Sequence, residues 1–351
     1  MKKRLGPVWP YSWTTVGVRG AVAGVAVAVS AFGAASAEAA FPGTNGRIAF
    51  TVDNWRQYPC DPMQQLQPHG CPDPGVESLR TEAVLANGRG RRVLRALDRG
   101  LGGYPALAWS PNASLVAFDN WERIGIVRRD GTGRRLLPRL TTFQDLFPTW
   151  SPDGRRLAFI GDRRCYGCLW LFTVRRDGTG LRRVIAQGAA SPSWSVKNTL
   201  AFVNYNDSSK VPGDIPDGLY TVKPDGSRLR RVYSGGYLGP GLQPDWSPDG
   251  SRIAFLAATR DAADNDEIFT VKANGRGLRR LTHFGPHRGG GVGAPKWSPD
   301  GRFITFIDNY DLYVMRSNGH GLRRIVDTPR RDPAATTWTT IQEPAWLPRT
   351  R

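Results

Sequence analysis

A repeated phrase, in which Trp is followed by Ser-Pro-Asp-Gly and a short apolar run, returns along this 351-residue chain. Its clearest copies are WSPDGRRLAF from Trp150, WSPDGSRIAF from Trp246 and WSPDGRFITF from Trp297. A unit of this size cannot bury its own apolar face alone. The copies must therefore stack on one another or close into a ring.

Each copy also contains an apolar run centred on Phe, a turn with Asp-Gly or Asn-Gly, and a segment that begins with two consecutive arginines, called an Arg pair below. Short runs rich in β-branched and aromatic residues, separated by such turns, predict β-strands. Sustained helical periodicity is absent, which predicts an all-β chain. The Trp strands end at Trp109, Trp150, Trp194, Trp246, Trp297 and Trp346. The Phe strands carry Phe50, Phe118, Phe159, Phe202, Phe255 and Phe306. The Arg pairs begin at Arg91, Arg134, Arg182, Arg230, Arg279 and Arg323.

The two ends of the chain are out of register with the repeat. The first copy begins at its second strand, near Phe50, and the last ends with a Trp strand near Trp346. In a closed ring these two halves complete one another and remove an open sheet edge. We therefore predict a six-bladed β-propeller of four-stranded antiparallel blades, in which the C-terminal strand near Trp346 joins the N-terminal strand near Phe50.

The order of these parts, W-S-P-D-G, then R-x-[IL]-A-F, an aromatic third strand, D-G and a basic fourth strand, resembles the repeat of the TolB β-propeller. The resemblance covers roughly residues 42 to 348 and implies six blades. In the TolB family a separate α/β domain precedes the propeller, and we expect this chain to lack it.

The N-terminal residues 1 to 40 have the pattern of a signal peptide. Basic residues come first, a small apolar run follows from Ala21 to Ala35, and Ala-Ser-Ala and Ala-Glu-Ala offer cleavage sites. The run is shorter than the roughly 20 residues that span a bilayer. We expect an exported protein, either secreted, periplasmic or associated with the cell wall, with no transmembrane segment after cleavage. Residues 41 to 351 then form one propeller domain, expected to be a monomer.

The four cysteines form two local pairs, Cys60 with Cys71 and Cys165 with Cys168. In an exported chain such pairs are disulfide candidates. A redox or metal role for the Cys-x-x-Cys sequence remains the alternative.

Propeller geometry assigns the connections to two opposite faces of the ring. The repeated tight turns lie on one face, and the variable connections at residues 51 to 83, 204 to 218 and 257 to 267 lie on the other. Irregular connections on a rigid scaffold commonly bind ligands. Trp55 and Trp121 lie off the repeat among polar residues in these connections, and they are candidates for the recognition of a sugar or peptide.

The net charge is +18, and removal of the leader leaves 44 basic and 29 acidic residues, a net charge of +15. The Arg pairs predict a cationic belt around the outer strands. Such a belt favours an anionic wall polymer or phospholipid headgroups as partner, and its alternative role is to discourage pairing between sheet edges. Nucleic acid is not expected as a partner of an exported protein.

Catalytic signals are weak. His283 and His287 lie together in a Gly-rich connection and are candidate binding residues. Some propellers of similar repeat are metal-dependent lyases of acidic sugars that use histidines on the loop-bearing face. The sequence contains no Gly-x-Ser-x-Gly motif. We predict a non-catalytic binding scaffold that engages an envelope or extracellular protein or an anionic cell-wall polymer, without catalytic residues, metal or cofactor. The alternative is a carbohydrate-active lyase or hydrolase with its site at the mouth of the central channel.

Overall fold

A computed structural model describes residues 41–56, 75–94, 107–120, 122–162, 169–186, 188–204, 216–235, 243–258, 266–284, 292–328 and 337–348. Across these segments the chain forms 24 strands and no helix. None of the described segments is therefore an apolar helix that could cross a membrane. The strands form six antiparallel sheets of four, as predicted.

Each sheet is one blade, numbered here in chain order. Blade 1 consists of β24 (Thr337–Pro348), β1 (Asn45–Arg56), β2 (Gly75–Leu85) and β3 (Arg92–Val93). Blade 2 consists of β4 (Leu107–Trp109), β5 (Leu115–Asp119), β6 (Ile124–Arg128) and β7 (Arg135–Leu136). Blade 3 consists of β8 (Asp145–Trp150), β9 (Arg156–Asp162), β10 (Leu169–Arg175) and β11 (Arg182–Ile185).

The other three blades follow the same order, with the Trp strand first. Blade 4 consists of β12 (Ala189–Trp194), β13 (Leu200–Asn204), β14 (Gly218–Val222) and β15 (Arg230–Tyr233). Blade 5 consists of β16 (Asp245–Trp246), β17 (Arg252–Ala258), β18 (Asp266–Lys272) and β19 (Arg279–Arg280). Blade 6 consists of β20 (Val292–Trp297), β21 (Phe303–Asp308), β22 (Asp311–Arg316) and β23 (Arg323–Val326).

The ring closes through blade 1, which takes one strand from the C-terminal end of the chain and three from the N-terminal end. β24 pairs antiparallel with β1, and Trp346 lies opposite Ile48. This confirms the closure predicted from the offset of the repeat. The pairing satisfies backbone groups on both strands that would otherwise form two exposed sheet edges.

The hydrophobic core lies between neighbouring blades. The Phe of each second strand is fully buried, as are the indoles of Trp150, Trp194 and Trp246. The Trp150 indole N–H donates to the carbonyl of Ala108 in the preceding blade at 2.9 Å. The Trp strands are thus packing elements, and each buried aromatic side chain stabilises the ring by about 2 to 3 kcal/mol.

The Ser-Pro-Asp-Gly phrase folds as a self-contained turn. In blade 3, the Ser151 hydroxyl donates to Asp153 Oδ1 at 2.6 Å and accepts the Arg156 N–H at 2.9 Å. The same Asp153 oxygen accepts the Arg155 N–H at 3.0 Å, and Gly154 has a φ of +66°. Ser and Asp therefore satisfy the turn's backbone donors, and Gly takes the left-handed conformation.

Candidate functional site

The ring presents two unlike faces. We call the side that carries the second-to-third strand connections and the links between blades the loop face. We call the opposite side, which carries the first-to-second and third-to-fourth strand turns, the turn face. The described turn-face connections are short and repeat from blade to blade. The loop face carries connections of very different length, from residues 57–74 in blade 1 to the two-residue turn at Asn309 and Tyr310 in blade 6.

The structure corrects the predicted connection at residues 51 to 83. β1 continues to Arg56 and β2 begins at Gly75, so only residues 57–74 connect them. Trp55 lies on β1, opposite Val76 of β2 and Trp338 of β24. Trp55 therefore belongs to a strand of blade 1 and not to a loop, because β1 pairs with β2 on one edge and with β24 on the other.

Acidic side chains collect at the loop-face ends of the strands. Asp119, at the end of β5, accepts the Phe147 N–H of the next blade at 3.0 Å. Asp145, at the start of β8, accepts the Thr141 hydroxyl at 2.7 Å and the Leu140 N–H at 3.0 Å. Burial raises the pKa of Asp145 in spite of these hydrogen bonds. These carboxylates organise the link between blades 2 and 3.

In blades 5 and 6 the acids hold the outer strand to its own blade. Glu267 on β18 accepts a hydrogen bond from Arg280 on β19 at 2.8 Å. Asp311 on β22 accepts one from Arg324 on β23 at 2.9 Å. Because both arginines are partly exposed, each pair contributes only about 1 kcal/mol. In these two blades the second arginine of the pair is thus neutralised locally.

In blades 2, 3, 5 and 6 one arginine of the pair reaches across to the following blade, the second of the pair in blade 2 and the first in the other three. Its guanidinium donates to a backbone carbonyl in the next third-to-fourth strand turn, and we call this contact an arginine latch. The latches join Arg135 to the Arg176 carbonyl at 2.5 Å, Arg182 to Asp225 at 3.0 Å, Arg279 to Asn318 at 2.9 Å and Arg323 to Ala86 at 2.8 Å. The predicted belt on the outer strands is therefore also a set of links between blades.

Asp53 on β1 differs from the other loop-face acids. Its side chain is fully buried, and neither carboxyl oxygen has a hydrogen-bond partner within the described part of the chain. It lies opposite Thr340 of β24 and Leu79 of β2. Burial raises its pKa to about 7. Blade 1 therefore contains a carboxyl group that favours its protonated form.

A second buried carboxyl group lies between blades 5 and 6. Asp245 on β16 accepts the Trp297 N–H at 2.7 Å through Oδ2. Burial raises its pKa to about 8, although the neighbouring Lys296 on β20 acts in the opposite direction. Both side chains are almost wholly buried, so the pair is a feature of the inner strands rather than of an open surface.

The inner strands contain bulges that the sequence interpretation missed. The pairing register shifts between Leu146 and Thr149 in blade 3 and between Ala190 and Ser193 in blade 4. Phe147 and Ser191 have positive φ values of 54° and 47°. The sequence does contain a pattern that predicts these bulges. Five copies carry Pro two residues before Trp, and Pro in a strand favours a bulge. These residues are Pro148, Pro192, Pro244, Pro295 and Pro344.

No protein-family profile matches the sequence. Solved structures do match it. TolB from Acinetobacter baumannii has a TM-score of 0.56 at 16% identity, over 86% of this chain and 67% of that one. A putative TolB from Agrobacterium tumefaciens has a TM-score of 0.57 at 16% identity, over 87% and 100%.

The fold is a TolB-like six-bladed β-propeller. An oligogalacturonate lyase in complex with manganese also resembles the chain, with a TM-score of 0.51 at 14% identity over 84% of this chain and 89% of that one. At such identities these likenesses concern the fold alone.

The described part of the TolB-like propeller places few of the predicted site residues. His283 follows β19 and is exposed on the loop face. Trp121, His287 and the four cysteines lie outside the described residues. Among the residues that are described, no group of three or more His, Cys, Asp and Glu side chains could hold a metal ion.

Proposed function

We propose that this protein is an exported, non-catalytic scaffold that binds a protein or a cell-envelope polymer on its loop face. The observation that carries the proposal is the difference between the two faces. Short repeated turns make up one face, while connections of unequal length emerge from the other. A rigid ring that varies on one face suits recognition, because the scaffold fixes where each connection starts and ends.

The buried acids at the loop-face ends fix the scaffold and do not themselves contact a partner. Asp119 and Asp145 are 1% and 0% exposed and are held by backbone and hydroxyl donors, so the link between blades 2 and 3 is fixed before a partner arrives. A fixed scaffold loses little conformational entropy on binding.

Export is part of the proposal and rests on the pattern of residues 1 to 40. N-terminal sequencing of the protein isolated from the cell envelope should give a start between residues 38 and 41. An uncleaved N-terminus would contradict the signal peptide without affecting the binding role.

The binding role is tested by shortening the connection between β1 and β2, residues 57–74, which is the longest second-to-third strand connection by the bounds of the strands. Arg56 lies opposite Gly75, so residues 57–74 can be replaced by a short Gly-Ser turn that preserves the β1–β2 hairpin. We expect envelope proteins that co-purify with the wild type to be lost. Ser114→Ala on the turn face is the matched control and should retain them.

The enzyme alternative predicts a different outcome. Purified protein incubated with acidic polysaccharides and manganese should produce no cleavage products. Turnover of a polysaccharide would overturn the non-catalytic proposal, and retention of every partner after loop replacement would overturn the loop-face assignment.

A further inference from the structure

The turn face has an excess of basic side chains that its acids do not balance. Blade 3 shows the pattern. Its turn-face acids are Asp153 and Asp177. Its basic residues on the same face are Arg155, Arg156, Arg175, Arg176 and Arg182. All five basic side chains are exposed or partly exposed. The face therefore presents a positive surface to solvent.

The turn-face acids are engaged inside their own turns. Asp177 Oδ1 accepts the Thr179 hydroxyl at 2.7 Å and the Thr179 N–H at 2.9 Å. These two hydrogen bonds lower the pKa of Asp177. Asp130 and Thr132 repeat the arrangement in blade 2, and Asp225 and Ser227 in blade 4. The carboxylates cap backbone donors, and the arginines beside them stay exposed or partly exposed.

Exposed leucines are interleaved with these arginines. They occupy one equivalent position in four consecutive blades, directly before an Arg pair and at the turn-face end of the outer strand. They are Leu181, Leu229, Leu278 and Leu322, and we call them the leucine arc. Their side chains are between 36% and 49% exposed. Isolated exposed leucines are ordinary on proteins, but four at one repeated position place an apolar side chain at the same level of four successive blades.

The arginine latches hold the leucine arc in place relative to the neighbouring blades. The Arg182 latch ties the residue next to Leu181 to blade 4. At the same junction a Cβ on Gly226 would lie 3.1 Å from the Val184 carbonyl oxygen, so the blades meet backbone to backbone. At this junction the leucine and the arginines therefore lie on a rim where one blade is bonded to the next.

We propose that the turn face docks on an anionic phospholipid bilayer, with the leucine arc entering the headgroup region and the surrounding arginines binding phosphates. Each Lys or Arg near an anionic leaflet contributes about 1 kcal/mol. Guanidinium groups bind phosphate oxygens in a bidentate manner. Stable attachment needs an apolar contribution together with the electrostatic one, and the leucine arc supplies it.

A bilayer explains the leucines better than a hydrophilic wall polymer, which offers them no apolar phase. The orientation also leaves the loop face directed away from the membrane. The inference goes beyond the proposed binding role because it concerns the opposite face and a different ligand.

The test measures cosedimentation of the full chain, purified as processed by the cell, with vesicles of phosphatidylglycerol and phosphatidylcholine at low and physiological salt. The triple variant Leu229→Ser, Leu278→Ser and Leu322→Ser should lose about tenfold or more in affinity at physiological salt. The triple variant Arg155→Glu, Arg176→Glu and Arg228→Glu should lose vesicle binding at both salt concentrations. Phe143→Ser is the matched control, since Phe143 is 43% exposed but lies on the loop face.

Circular dichroism and thermal unfolding of each variant establish that it is folded. Absence of binding between the wild-type protein and anionic vesicles at low salt would overturn the inference. Equal binding of the wild type and the leucine variant, together with binding to a soluble anionic polymer, would indicate a contact through charge alone and would also overturn it. Loss of vesicle binding with retained loop-face partners would separate this inference from the proposed function.

Discussion

Arg323 on β23 donates a hydrogen bond to the carbonyl of Ala86 across 2.8 Å, and this latch joins the last blade to the first. At the same junction a Cβ on Gly88 would lie 3.1 Å from the Ile325 carbonyl oxygen. The outer rim is therefore closed by the same kind of contact that links blades 2 to 3, 3 to 4 and 5 to 6, while the pairing of β1 with β24 closes the sheet itself.

We expect Arg323→Ala to lower the free energy of unfolding by about 1 kcal/mol, because one charge-assisted hydrogen bond to a carbonyl is lost on a partly solvated surface. Denaturant unfolding measures the change. Arg302→Ala provides the control, since Arg302 is also an exposed turn-face arginine but forms no latch. Equal effects of the two substitutions would show that the latch does not stabilise the ring.

Asp53 should make the protein less stable as the pH rises. Its pKa is raised from 3.8 to about 7 by burial, so the folded state holds a proton that the unfolded state has released. Stability is therefore lost progressively between about pH 4 and pH 7, by at most about 4 kcal/mol. Asp53→Asn should flatten this part of the profile of unfolding free energy against pH. Asp245 will leave some pH dependence, since its pKa is also raised. Parallel profiles for wild type and variant would contradict the assignment.

Arg228 occupies a position that is Gly in every other blade. Its φ is +57°, and the equivalent glycines have φ values from 63° to 67°. The equivalent residues are Gly90, Gly133, Gly180, Gly277 and Gly321. A non-glycine residue in this conformation costs about 1 kcal/mol. Arg228→Gly should therefore raise the unfolding free energy by roughly 0.5 to 1 kcal/mol, measured by thermal or denaturant unfolding. Gly180→Arg, the reverse change in blade 3, should destabilise by a similar amount.

The predicted pairs Cys60 with Cys71 and Cys165 with Cys168 should leave no free thiol in the exported protein. Alkylation of the denatured, unreduced chain followed by mass spectrometry should find no modified cysteine, and four after reduction. The double variant Cys60→Ser and Cys71→Ser should lose about 2 to 3 kcal/mol, since an open connection gains entropy in the unfolded state. Four reactive thiols without reduction would contradict both pairs.

The sequence predicts the ring because each blade repeats local signals. Trp150, the turn after it and the Phe159 strand are specified within a few residues, and the offset between Phe50 and Trp346 specifies closure. The sequence does not predict the length of β1. Residues such as Asp53 and Asn54 indicate a loop, yet pairing with β24 on one edge and β2 on the other makes them strand. That pairing depends on residues almost 300 positions away.

Contacts between blades on the two faces are likewise not predictable from the sequence. The Arg pairs are evident in the sequence, but only the packed ring shows that Arg182 crosses to the next blade while Arg280 binds Glu267 in its own blade. Which side chains are exposed together, as in the leucine arc, likewise depends on the angle between blades. The inner-strand bulges were within reach of the sequence, since Pro recurs two residues before Trp.

Because blade 1 needs β24, this blade can be completed only after the C-terminal strand has been synthesised. β1 and β2 are among the earliest strands to leave the ribosome, but their sheet lacks its inner strand until the last segment, around Trp346, is released. An exposed strand edge invites intermolecular pairing, and contacts this distant in sequence form slowly. Throughout translation the N-terminal blade is therefore an unfinished sheet, so truncated or stalled chains should aggregate, and their solubility should depend on chaperones that cover this edge until termination.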